Sequence, residues 1–128
     1  MIIDRIDHIV LTVASVAATI DFYERVLGMT AITFAGGRRA LSFGNQKINL
    51  HPWPSPYPEL AKSPTPGAGD FCLITQTPID DVVLHLQACG VAVEVGPVAK
   101  SGATGPLLSV YFRDPDGNLV EVSNLVEQ

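Results

Sequence analysis

The sequence predicts an α+β fold: two βαβββ modules whose mixed sheets curve around a cleft. Three observations predict it. The apolar pattern runs with period two, switches to a helical period and returns to period two, which is the signature of strands flanking one helix. That order occurs twice, with module starts roughly 60 residues apart. Between the two copies, the segment 52–68 holds six prolines among Ser, Ala, Gly and Lys, which exclude a central strand or a regular helix.

Module one spans about 1–51 and opens with residues 5–13, which alternate and are rich in branched side chains. A helix is predicted over 15–27. Ser15 is its N-cap, Val16, Ile20, Tyr23 and Leu27 recur at helical spacing, and Gly28 supplies the stop. Strands follow near 30–35, 38–43 and 46–51, with Gly36-Gly37 and Gly44-Asn45 as the turns between them. Module two spans about 69–128 and repeats the order. Residues 69–75 form its first strand, and Thr77 and Pro78 are read as N-cap and first helical residue. Ile79, Val82, Val83 and Leu86 make the buried stripe, Asp80 and Asp81 suit the positive end of the helix dipole, and Gly90 ends it. Strands near 91–95, 107–113 and 119–124 complete the module, the last preceded by the turn Asp114-Pro115-Asp116-Gly117. The segment 52–68 is the linker between modules. Trp53 and Tyr57 within it are either anchors or part of a substrate lid.

At 128 residues, with 47% hydrophobic and 16% charged side chains, the chain suits a single folded domain and not a disordered one. A net charge of −5 without any lysine- or arginine-rich run excludes the electrostatic footprint of a nucleic-acid binder. The apolar runs 9–13 and 82–86 are too short to cross a bilayer. Charged Asp4, Arg5 and Asp7 stand where a signal peptide needs apolar residues, so a cytoplasmic protein without a membrane partner is expected. Cys72 and Cys89, seventeen residues apart in apolar segments, are read as buried free thiols.

The chemistry is located by the two-residue period of the strands. In the first strand Ile9, Leu11 and Val13 form a wholly apolar face that packs under a helix, which turns His8 to the other side. In 46–51, Ile48 and Leu50 oppose Lys47, Asn49 and His51. In 69–75, Phe71 and Leu73 oppose Asp70, Cys72 and Ile74. In 119–124, Val120 and Val122 oppose Leu119, Glu121 and Ser123. The first and last strand of each module therefore put a histidine or a carboxylate on the side away from the helix. If the modules enclose a common cleft, His8, His51, Asp70 and Glu121 converge there, a donor set suited to a divalent first-row metal with open positions. Plainer readings stand beside this one. A histidine on a half-apolar strand is often structural, Asp70 can fix the turn after Gly67-Ala68-Gly69, and His51 before Pro52 can be a solvent-exposed strand end. Glu121 between two valines is harder to explain without a partner. Arg38, Lys100 and Arg113 are either holders of an anionic group or solvated charges.

Several motifs carry a family resemblance. The opening Asp7-His8-Ile9-Val10, the helix text Phe22-Tyr23 followed by Leu27-Gly28, and the closing run from Phe112 through Asp114-Pro115-Asp116-Gly117-Asn118 to Glu121 resemble the vicinal oxygen chelate superfamily. It includes glyoxalase I, fosfomycin- and bleomycin-resistance proteins, extradiol dioxygenases and methylmalonyl-CoA epimerase. Lys47–His51 and Gly102–Pro106 look most like the glyoxalase domain-containing protein five group. The resemblance covers nearly the whole chain. It implies a divalent metal (zinc, nickel, manganese or iron) bound by His8, His51 and Glu121, with Asp70 as a fourth donor or a base. Two positions depart from the pattern: many catalytic members have histidine at Asp70, and glyoxalase I has glutamate where this chain has Asn49. The resemblance also implies a homodimer.

The expected function is a glyoxalase-like lyase or isomerase acting on a small oxygenated substrate. The metal would polarise a substrate oxygen while a carboxylate, Glu121 or Asp70, moves a proton. One alternative is a drug-binding or resistance protein that traps its ligand without chemistry. Another is an iron-dependent ring-cleaving dioxygenase, against which the short chain counts.

Overall fold

The computed structural model describes residues 1–127. It divides into two compact units, Met1–Ala68 and a second beginning at Gly69, so the unit boundary falls where the second repeat was placed. The 52–68 segment belongs with the first unit. Among the described residues, each unit holds one α-helix and one four-stranded mixed sheet.

The first unit contains β1 (His8–Val13), α1 (Val16–Leu27), β2 (Thr30–Phe34), β3 (Arg38–Phe43) and β4 (Gln46–Pro52). Its strands lie in the order β1-β4-β3-β2. The first and last strands are parallel neighbours, and the others pair antiparallel. Ser15 caps α1 by accepting a hydrogen bond from the Ala18 amide at 3.1 Å. Gly28 closes the helix in the left-handed region at φ 66°, its N–H returning to the Glu24 carbonyl. The buried side of α1 is Thr19, Phe22, Tyr23 and Val26, rotated from the stripe read in the sequence. Thr19 escapes a hydrophobicity count because its hydroxyl is satisfied locally, bonding the Ser15 carbonyl at 2.8 Å. Leu11, Val13, Leu41, Ile48 and Leu50 complete this core. Ile48 lies opposite Leu41, and Leu11 opposite Leu50.

The second unit contains β5 (Asp70–Ile74), α2 (Ile79–Ala88), β6 (Val95–Ser101), β7 (Pro106–Arg113) and β8 (Leu119–Leu125), in sheet order β5-β8-β7-β6. Its core is Ile79, Val82 and Leu86 from the helix with Val110, Phe112, Val120 and Val122 from the sheet. Three expectations are corrected here. The N-cap of α2 is Pro78, not Thr77, because its ψ of 140° is still extended. The strand read near 91–95 begins only at Val95 and continues to Ser101. Gly96 and Pro97 hid it, since both are strand breakers that an edge strand tolerates. At Gly96, with φ 107°, a Cβ would run into the Ser109 carbonyl oxygen of β7, so this edge closes only around glycine. Finally, the cysteines are free but not buried: Cys72 is exposed and Cys89 half-buried.

The Asp114–Gly117 turn matches its reading. Asp114 Oδ1 accepts from the amides of Asp116 and Asn118, each at 3.0 Å. Asn118, fully buried, donates to Asp114 Oδ2 at 2.7 Å and accepts from the Gly69 amide at 2.7 Å. Asn118, not Asp70, therefore fixes the entry to β5. Among the described residues, no helix is long and apolar enough to cross a membrane.

Candidate functional site

Facing residues in a register share a side of the sheet, so the pairings fix which side chains stand on the side opposite each helix. In the first unit His8 pairs with Lys47, Val10 with Asn49 and Thr12 with His51. Ala40 pairs with Asn49 and Ser42 with Lys47. His8 and His51 are thus on one side, as the alternation requires, but four residues apart along the paired strands. That is about 13 Å at 3.3 Å per residue, too far for both imidazoles to reach one ion at bond lengths near 2 Å.

The two histidines sit in opposite settings. His8 is exposed, and its Nδ1 lies 2.8 Å from Asp7 Oδ1, with 42% of the side chain accessible. That hydrogen bond holds the Asp7 carboxyl below the usual carboxylate range. An imidazole whose Nδ1–H is held by a carboxylate presents Nε2 as a lone pair, the arrangement typical of a metal-ligating histidine. His51 is buried at 5% exposure, not the solvent-exposed strand end that its place before Pro52 allowed. Its Nδ1 has no hydrogen-bond partner, and neither has the buried Asn49 Oδ1 two residues earlier. The Tyr57 ring meets the His51 ring edge-on, with centroids 5.5 Å apart. The Arg38 guanidinium lies 4.6 Å over the Tyr57 ring and donates to the Pro58 carbonyl at 3.1 Å. Tyr57 therefore anchors its segment to the ends of β3 and β4. Burial, reinforced by the charge of Arg38, pushes the His51 pKa down and favours a neutral ring.

In the second unit Cys72 pairs with Glu121, and Tyr111 with Glu121 from the other side. Ser109 donates to Glu121 Oε2 at 2.6 Å, and Ser123 to the same oxygen at 3.3 Å. The two serine hydroxyls are 2.6 Å apart, and Ser123 Oγ is 3.2 Å from Cys72 Sγ. Burial and a hydrogen bond to Glu121 raise the Tyr111 phenol above its ordinary range. Burial of the sulfur also raises the Cys72 thiol; Glu121 adds to the rise and the Ser123 bond opposes it. Asp70 stands exposed on the same side, opposite Leu119, diagonal to Glu121. Lys100 Nζ is 5.7 Å from the Tyr111 ring centre, and Arg113 is paired with Glu94 at 3.0 Å.

Sequence reasoning placed Glu121 but missed Ser109 and Tyr111. The alternation of Ser109, Tyr111 and Arg113 against Val110 and Phe112 in 107–113 carried the signal, and applying the two-residue test to that strand finds both. Among the described residues, no group of three or more His, Cys, Asp or Glu is arranged to hold a metal ion.

The repeated module, the parallel pairing of first and last strands and the polar side of each sheet define the glyoxalase-like class of folds. The family model for the Glyoxalase/Bleomycin resistance protein/Dioxygenase superfamily matches residues 5–122, and the chain belongs to that family. It is 55% identical over 126 residues to virulence protein STM3117 of Salmonella typhimurium, covering 98% of this chain and 88% of that one. The crystal structure of STM3117 superposes with a TM-score of 0.97, over 98% of this chain and 100% of that one. The glyoxalase domain-containing protein RDO1 of Mycosarcoma maydis is 48% identical over 119 residues, 93% of this chain and 67% of its own length. At 19% identity, the fold alone is shared with the fosfomycin resistance protein FosX of Listeria monocytogenes, solved with Mn(II) and sulfate (TM-score 0.69, 98% of this chain and 93% of that one).

Proposed function

We propose that the chain is a glyoxalase-like, metal-dependent lyase or isomerase acting on a small oxygenated substrate, with Glu121 as the residue that moves the proton. The setting of Glu121 carries this reading. Two serine hydroxyls hold one oxygen of its carboxylate, and Tyr111, kept protonated, supplies a further hydrogen bond. A carboxylate fixed in this way presents its remaining capacity in one direction, as a general base requires. Glu121 would take a proton from the carbon beside a substrate carbonyl and return it to the neighbouring atom, leaving no net change in protonation. Tyr111 and the serines orient the carboxylate throughout.

Two of the three metal donors read from the sequence suit the role. His8 has a carboxylate-held Nδ1, and Glu121 is a carboxylate oriented by two serine hydroxyls on Oε2. His51 does not suit it, because the Arg38 cation acts on its ring and would repel a divalent ion. A bound divalent ion supplies Lewis acidity toward a carbonyl or enediolate oxygen. The Mn(II) in FosX supports a metal in this fold.

The test is exchange of the carbon-bound protons of hydroxyacetone in heavy water, followed by NMR with added Mn(II), Ni(II) or Zn(II). His8→Ala should lower the bound metal measured by elemental analysis. Glu121→Gln should slow exchange about 100-fold or more. A wild-type chain that retains no metal and exchanges no faster than Glu121→Gln would reject the proposal.

The buried, unpartnered His51 Nδ1 and Asn49 Oδ1 favour a second reading, a non-catalytic binder of small molecules. Tight ligand binding unaffected by chelators, together with no exchange activity, would select it. We also propose a homodimer, since edge strands β1, β2, β5 and β6 each leave one side unpaired within their sheets. Sedimentation at the monomer mass would reject that.

A further inference from the structure

We propose that the first unit carries its own binding site for a short hydroxycarboxylate, formed by Arg38, Asn49 and His51 on the side of the sheet away from α1. Three independent observations meet there. His51 is 95% buried by its 5% exposure, yet its Nδ1 has no partner. Asn49 Oδ1, on the same side of β4 and two residues away, is also buried without a partner. A buried polar atom left unpaired costs free energy, so two beside each other mark where a polar ligand belongs. The third observation is charge: Arg38 stands on this side of the sheet, its guanidinium over the Tyr57 ring that also meets His51.

The ligand chemistry follows from what each group lacks. Asn49 Oδ1 is an acceptor and needs a donor, which a hydroxyl provides. A neutral His51 with its proton on Nδ1 is a donor and needs an acceptor. Arg38 holds Tyr57 by its face and the Pro58 carbonyl by Nη2, and a guanidinium has further N–H groups to offer. One molecule with a carboxylate toward Arg38 and His51 and a hydroxyl toward Asn49 satisfies all three. The Cα atoms of residues two apart on a strand are separated by about 6.6 Å, a gap that a molecule of three or four carbons spans. Tyr57 closes one end by lying against both His51 and Arg38. The site lies within one unit and does not depend on Glu121 or on a metal.

The experiment is a titration of the full chain, without added metal, with lactate and with 3-hydroxybutyrate. Ring-nitrogen NMR reports on His51, assigned by comparison with His51→Gln. At least one of the two acids should saturate a single site in the millimolar range and shift the His51 ring nitrogens. Its uncharged amide should bind at least about 10-fold more weakly, as should the acid to Arg38→Gln, each losing a charge-assisted hydrogen bond. Asn49→Asp keeps the size of the side chain and places a negative charge against the carboxylate. It should abolish binding even if Arg38→Gln perturbs the fold around Pro58. No saturable binding of either acid, equal binding of acid and amide, or unchanged affinity in Asn49→Asp would each overturn the proposal. Loss of proton exchange in Glu121→Gln with acid binding intact would separate this site from the chemistry of the second unit.

Discussion

The Ser109 hydroxyl donates to Glu121 Oε2 at 2.6 Å from the neighbouring strand, and Ser109 itself is fully buried. A carboxylate half-enclosed by a sheet is stable there because its acceptors are met from within that sheet. Ser109→Ala should therefore cost about 1.5–3 kcal/mol, the range for a hydrogen bond to a charged group. Urea unfolding measures this. In a double-mutant cycle with Glu121→Gln, the coupling should exceed about 0.5 kcal/mol, and additive effects would show that the contact contributes nothing.

His51 should make the protein acid-sensitive. Burial and then Arg38 lower its folded pKa below the ordinary 6.5. Below pH 6.5 the unfolded chain takes up a proton that the folded chain refuses. Stability is therefore complete above that pH, falls as the pH drops, and levels off once the folded-state pKa is passed. Arg38 is the charged group acting on the ring, with Tyr57 edge-on to it and Thr12 opposite it on β1. His51→Gln should flatten the fall in melting temperature between pH 7.5 and 5.5, by an amount on the order of a few degrees. Parallel curves for the two proteins would exclude this linkage.

Cys72 is exposed as a residue, yet its thiol is raised by burial of the sulfur and by Glu121. Alkylation by iodoacetamide proceeds through the thiolate. Glu121→Gln removes the smaller of the two causes that raise the pKa, so it should speed Cys72 labelling at pH 8. Peptide mass spectrometry reads the rate, and an unchanged rate would show that Glu121 does not act on the thiol.

Gly96→Ala should be among the most damaging single-carbon additions in the chain. Its Cβ would meet the Ser109 carbonyl oxygen of β7, and its φ of 107° is unfavourable to any side chain. The loss should be about 2 kcal/mol or more. A neutral result by thermal melting would mean that the β6 edge adjusts freely.

Much of this molecule could be read before its structure. The helix-facing and polar sides of β1, β4, β5 and β8 were legible because a period-two pattern in four strands leaves little choice about orientation. Three things were not legible. Register along a parallel pair is set by the crossover that joins its strands, so nothing local in the sequence placed Thr12, and not His8, beside His51. The Arg38–Tyr57–His51 grouping depends on the path of a proline-rich segment without periodicity. Strand β6 was masked by Gly96 and Pro97, whose usual meaning reverses at an edge.

The parallel pairs β1–β4 and β5–β8 have a consequence for how such a protein changes over time. In each sheet one set of alternate residues is committed to the helix and the core, and the other set is free of that duty. Replacing Asn49 or Asp70 alters which atoms a small molecule meets, while Ile48, Leu50 and Val122 continue to hold the fold. Innovation in ligand chemistry at such positions is partly separated from the risk of unfolding, and the repeated module provides two such surfaces on which it can proceed.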